Sequence, residues 1–181
     1  MHQAEDDAIL SSSYRSQMPE DTKPQLGRAS PLAALERVLT EIGWEPQPDE
    51  ETAGFYVDFG PPHIPVSDAF AAIALDTEQF VFYINFGPAV PPDRMNQVAR
   101  FLTLANWGLM IGNFEMDYSD GHVRFKSSLS FRGTELSEVL IRNAILSAMN
   151  AVERYADSLM QVLGQGKDAD QAFREAALKS S

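Results

Sequence analysis

The thirteen residues NFEMDYSDGHVRF, 113–125, hold three carboxylates, a histidine and an arginine. Glu115, Asp117 and Asp120 are of a type that moves protons or binds cations, and His122 adds a nitrogen donor. Three chemistries would use them. A calcium loop of the EF-hand type needs its glycine sixth, oxygen ligands at positions one, three and five, and a carboxylate at twelve. With Gly121 sixth, Met116 stands first, Tyr118 third and Ser127 twelfth, so the register fails. A zinc or transition-metal site needs several nitrogen or thiolate ligands. The chain has no cysteine, and its other histidines, His2 and His63, form no His-x-x-x-His pair. Paired-carboxylate catalysis of the glycosidase kind finds candidates in any chain with 26 acidic residues, so nearness in sequence decides nothing.

The same residues fit a β-hairpin. Asp-Gly between two alternating runs is a strong hairpin signal. A two-residue turn at Asp120-Gly121 sets Tyr118 opposite Val123, Asp117 opposite Arg124, Met116 opposite Phe125 and Glu115 opposite Lys126. One face is then apolar (Phe114, Met116, Tyr118, Val123, Phe125) and the other pairs acid with base twice. The expected role of Glu115, Asp117, Asp120, Gly121, Arg124 and Lys126 is therefore structural, with no catalytic, cofactor-binding or metal residue among them. The competing reading is a metal-dependent enzyme using residues 115–122.

The elements that must carry this hairpin can be read from periodicity. Ser30 and Pro31 form a helix start, Leu32, Leu35, Leu39 and Ile42 recur at helical spacing, and Gly43 stops the run. GFYVDFG alternates as a strand, AFAAIALD reads as a second, and FVFYINF as a third that is apolar on both faces and so belongs mid-sheet. A helix follows with Met95, Val98, Ala99, Leu102 and Ala105 as its core stripe. After the two hairpin strands, Thr134 precedes a long helix of about residues 135–163, and Asp168 caps a short last one. Trp44 and Trp107, each just past a helix, are expected to seal the core. The order α-β-β-β-α-β-β-α-α predicts an α+β fold with a twisted antiparallel sheet of about five strands flanked by helices.

Composition bounds the function. The 181 residues, 44% hydrophobic and 22% charged, suit one soluble domain over residues 31–178, preceded by a polar segment, 1–30, expected to be disordered. A net charge of −12 argues against nucleic acid and against anionic membrane as partners, since both are polyanions. The absence of cysteine excludes disulfides and thiol catalysis and fits a reducing cytosol. No apolar run approaches the roughly 20 residues of a membrane span, and the acidic start does not read as a signal peptide. A cytoplasmic location is expected.

The stretch LANWGLMIGNFEMDYSDGHVRFKSSLSFRG resembles the YbjN-like family in its helix-ending Asn106, Gly112 and Phe114, the Asp120-Gly121 turn and Arg124. ERYADSLMQVL at the end of the long helix is similar as well, except that Ala156 stands where the family usually has proline. The resemblance covers about residues 31–177. It implies a bacterial sensory transduction regulator with a fold like that of type III secretion chaperones, proteins that are often dimeric and bind extended partner segments. It brings no catalytic residues. Phe101 and Leu104, off the core stripe of their helix, are the candidate surface for a second subunit or a protein partner, unless a terminal helix covers them. The expected function is a non-enzymatic regulatory or chaperone-like module without cofactor. The alternative is a small-ligand sensor with its ligand between sheet and helix near Tyr83 and Trp107.

Overall fold

The computed structural model of the protein describes residues 30–58 and 64–178. The expected N-terminal tail, apart from Ser30, lies outside the described residues, as do His2, Phe59 and His63. Helix α1 (Pro31–Ile42) starts as its sequence dictates. The Ser30 hydroxyl accepts the Ala33 N–H at 3.1 Å, Pro31 occupies the first turn, and Leu35, Val38 and Leu39 form the buried face.

Six antiparallel strands follow the order β1-β2-β3-β4-β6-β5. They are β1 (Gln47–Pro48), β2 (Gly54–Val57), β3 (Val66–Ala74), β4 (Gln79–Phe86), β5 (Asn113–Met116) and β6 (Val123–Ser130). Helix α2 (Met95–Trp107) joins β4 to β5, and α3 (Glu138–Gly164) and α4 (Ala169–Leu178) close the chain. The α+β class and the element order are as expected, with one strand more than the five. The sixth is β1, in the proline-bearing stretch after α1 where no strand was expected. Pro46 and Pro48 lack ladder donors, which keeps it short and on the sheet edge.

β4 is central, as its apolar run implies, yet only one of its faces is covered. Phe80, Phe82, Ile84 and Phe86 are buried, while Val81 and Tyr83 remain half-buried on the other side. The helices pack on a single face, where α3, about 40 Å long at 1.5 Å per residue, runs over β4 and β6. Among the described residues no helix covers the second face.

Helix α3 begins later than Thr134 suggests. Ser137 is its cap, accepting the Leu140 N–H at 3.3 Å, with buried Leu136 and Ile141 at the positions of a hydrophobic staple. Three side chains of α2 and its cap hold the C-terminal helices. Arg94 donates to the Val162 carbonyl at 2.7 Å, at the end of α3. Gln97 accepts the Ala169 N–H at 3.1 Å, and Arg100 pairs with Asp170 at 2.5 Å.

Between the layers lies an aromatic cluster. Phe114 meets Phe125 edge-on at 4.9 Å between centroids, Tyr155 at 6.1 Å and Phe86 at 6.2 Å. Tyr155 also touches Phe101 and Phe173. Replacing Phe114 by Ala is expected to cost about 3–5 kcal/mol, read as a lower urea midpoint at unchanged slope. A loss below about 1 kcal/mol would show that this cluster does not tie β5 to the helices.

Candidate functional site

The hairpin exists, but its register differs by two residues from the one expected. Met116 pairs with Val123, Glu115 with Arg124, Phe114 with Phe125 and Asn113 with Lys126. A two-residue type I′ turn would need left-handed backbone at both Asp120 and Gly121, and only Gly121 has it, at φ +77°. The chain instead makes a four-residue loop, 118–121. It is closed by the Asp117 N–H on the His122 carbonyl and the Gly121 N–H on the Asp117 carbonyl, both at 2.8 Å. The Asp120 carboxylate accepts the His122 N–H at 2.8 Å, and Asp117 accepts the Ser119 N–H at 2.7 Å and its hydroxyl at 2.6 Å. Gly121 is docked against the segment before α2. Its carbonyl accepts the Val90 N–H at 2.9 Å, and a Cβ there would stand 2.4 Å from the Val90 oxygen.

A shift of two leaves every side chain on its expected face. Phe114, Val123 and Phe125 are buried and Met116 half-buried, while Tyr118 moves into the loop and is exposed. The ion pairs change. Glu115 serves both bases, Arg124 at 2.8 Å and Lys126 at 2.5 Å, and Asp117 is committed to Ser119 rather than to Arg124.

Neither acid is tuned for proton transfer. Partial burial is the largest influence on Glu115 and pushes its pKa up. Hydrogen bonds from Lys126, Arg124 and Asn113 outweigh it and hold the carboxyl below its usual range. Asp117 is also held low, first by the Ser119 hydroxyl and then by its N–H. A general acid or base near neutrality would need the opposite shift. Glu115, Met116, Asp117, Tyr118, Asp120, His122 and Arg124 line an open cleft of about 510 Å³. No group of three or more His, Asp or Glu among the described residues is placed to hold a metal ion.

The uncovered sheet face carries a row of successive cross-strand partners: Gln47, Tyr56, Phe70, Tyr83, Lys126 and Asn113. Tyr56 and Phe70 lie 4.6 Å apart, and the Arg124 guanidinium stands 4.3 Å over the Tyr83 ring. The next row is polar. Asn85 donates to Asp68 at 2.6 Å, so its amide oxygen faces the His122 Nε2 at 3.3 Å and requires a proton on that nitrogen.

The α2 residues separate. Phe101 is fully buried beneath α3 and α4, the covering that sequence left open, so it offers nothing to a partner in this fold. Leu104 is half-buried. Tyr83 faces away from the helices and cannot frame a ligand pocket with Trp107. Trp44 does pack on the core, 6.0 Å from Phe82. Trp107, expected to do the same, is 93% exposed.

Asn106 has a role its residue type alone did not announce. Its amide accepts the Phe114 N–H at 2.8 Å and donates to the Phe114 carbonyl at 3.0 Å. The side chain thus occupies the free edge of β5 as a neighbouring strand would. Gly112, at φ +76°, has no room for a Cβ, which would lie 2.6 Å from the Phe125 ring.

Residues 31–161 match the family described as "Putative bacterial sensory transduction regulator". The chain belongs to the YbjN family. Asn106, Gly112, Phe114 and the Gly121 loop, the residues of the resemblance, are thereby residues with a structural task in a YbjN family member. Among solved structures, YbjN from E. coli matches with a TM-score of 0.50 at 17% identity, over 70% of this chain and 92% of that one. The ExsC-ExsE complex contains a chain that matches with a TM-score of 0.52 at 15% identity, over 71% and 92%. At such identities the likeness is one of fold, and that fold is type III secretion chaperone-like. No curated protein matches the sequence significantly.

Two outcomes test this site. Asn106→Leu leaves both Phe114 backbone groups unpaired at the edge and is expected to cost about 1–3 kcal/mol, with increased aggregation on heating from the opened strand. Equal stability and solubility would refute the bracket. Glu115, whose folded pKa is depressed, contributes stability that is present above its unfolded value of about 4.3 and is lost as pH falls through the folded one. The urea stability of wild type over Glu115→Gln should therefore shrink on going from pH 6 to pH 3. A difference independent of pH would contradict the pairing.

Proposed function

We propose that the protein is a non-enzymatic regulatory or chaperone-like module that captures a segment of another protein on the uncovered face of its sheet. The observation that carries this reading is the one-sided core. Every described helix packs on one face, and the other presents the aromatic row Tyr56, Phe70 and Tyr83 with Arg124 stacked on Tyr83. Aromatic and arginine side chains are what interface centres are built from. The edges of the sheet do not invite strand addition, since prolines flank and enter β1 and Asn106 fills the place beside β5. The net charge of −12 favours a basic segment by long-range attraction. Membership of the YbjN family and the fold shared with a chain of the ExsC-ExsE complex agree with a protein partner. No described helix is long and apolar enough to cross a membrane, which fits action in the cytoplasm.

The test is affinity capture from the native host with wild type and a Tyr56→Asp/Tyr83→Ser variant of unchanged melting temperature. A partner enriched by the wild type and lost with the variant supports the reading. A partner retained equally by both removes the sheet face from it.

The cleft of about 510 Å³ beside His122 lies in the size range of small-molecule sites and supports a second reading, a ligand sensor. A metabolite that raises the melting temperature of wild type and not of His122→Ala would favour it over protein capture.

A further inference from the structure

The uncovered sheet face has a candidate occupant in the chain's own sequence. Twenty-nine residues precede Ser30. Between Asp7 and Glu20 they run AILSSSYRSQMP, twelve residues whose one charge is Arg15, in a chain of net −12. In an extended segment Leu10, Tyr14 and Met18 fall on one side, an aromatic anchor between two aliphatic ones.

The fold sets where this segment starts. Helix α1 runs alongside the beginning of α3, Arg37 pairing with Glu138 and Glu41 with Arg142. Ser30, seven residues before Arg37, therefore lies past the start of α3. There the connection into α3 meets the β3–β4 turn, the Phe131 N–H donating to the Glu78 carbonyl at 2.9 Å. The chain before Ser30 thus leaves the domain at the end of the sheet where β3 turns into β4. From Glu78, Tyr83 lies five residues along β4, about 17 Å at the rise of a strand. Rounding the end of the sheet from one layer to the other adds about 10 Å. The eleven residues 19–29 reach about 36 Å when extended, enough to bring Met18 and Tyr14 to the aromatic row.

The face also holds an acid without a cation. Asp68, two residues before Phe70 on the same side of β3, is half-buried. It accepts from the neutral Asn85 amide at 2.6 Å and Ser67 hydroxyl at 2.8 Å, and among the described residues no cation pairs with it.

We propose that residues 8–18 dock on the sheet face of their own domain, Tyr14 against Phe70 and Tyr83 and Arg15 on Asp68, and keep that face closed until a partner segment displaces them. Arginine lays its apolar stem along a surface and carries its charge beyond it, so Arg15 reaches Asp68 from the flank of the segment. A tether of this length gives an effective concentration of order millimolar, which populates a contact too weak to form between separate molecules. Competition with a partner rests on the reading of this face as the capture surface, and the contact itself does not. A partner's apparent affinity is then lowered by the fraction of chains whose face is open.

The chain has no cysteine, so Ser12→Cys can carry a single nitroxide on the full chain. In the amide NMR spectrum Tyr56, Phe70, Tyr83 and Arg124 should lose most of their intensity and regain it when the nitroxide is reduced. The exposed α3 residues Val139 and Leu146 should keep theirs. Adding Tyr14→Asp, which sets a like charge beside Asp68, should restore the sheet-face signals. Sheet-face signals that never broaden overturn the inference, as does broadening centred on α3 or broadening that survives Tyr14→Asp. So does broadening passed from a nitroxide-bearing chain to a separate isotope-labelled one, which marks a second copy as the occupant. The measurement needs no other protein, so its failure leaves capture on the sheet face standing, and failure of that capture leaves the docked segment standing.

Discussion

Phe114 is the residue on which most of the structure converges. Its ring is buried against Phe125, Phe86 and Tyr155, while its own N–H and C=O are held by the Asn106 amide. One residue of an edge strand thereby fixes the end of α2, the middle of α3 and the centre of the sheet relative to one another. The two constraints reinforce each other. The ring cannot leave the core without breaking the edge bracket, and the bracket would leave buried backbone groups unpaired if the ring moved.

The one-sided core follows from the same arrangement. With α3 long enough to run the length of the sheet and held at its end by Arg94, and α4 strapped to α2 by Gln97 and Arg100, the described helices form a single layer. Among the described residues, no helix covers the aromatic residues of the other sheet face, which meet only their neighbours on the sheet. The acidic hairpin at the same edge looks reactive by composition. Its carboxylates are consumed by pairing and loop closure, and the pKa values of Glu115 and Asp117 move down, away from neutral acid/base work.

Element types and order were legible in the sequence because they rest on local regularities. Ser30-Pro31 starts a helix whatever follows, and the alternation in FVFYINF makes a strand wherever it is placed. Phe101 shows where that legibility stops. Read as lying off the core stripe, it is one of the fully buried residues of α2, because α3 and α4 close over that side, held by Arg94 at the end of α3 and by Gln97 and Arg100 at α4. Trp107 shows the reverse, a large apolar residue at a helix end that the fold leaves outside.

The hairpin divides the two sources of information most clearly. Sequence alone determined that residues 113–126 form antiparallel strands with Phe114, Met116, Val123 and Phe125 inward, because a period of two and an Asp-Gly loop are properties of neighbouring residues. The loop length, and with it which acid meets which base, was decided only by tertiary structure. Gly121 had to dock on the Val90 backbone, where no Cβ fits, and Asp117 and Asp120 closed the loop around that contact. An even shift in register costs the core nothing, so the periodic pattern could not distinguish the two pairings, and the packing of a segment some thirty residues upstream could.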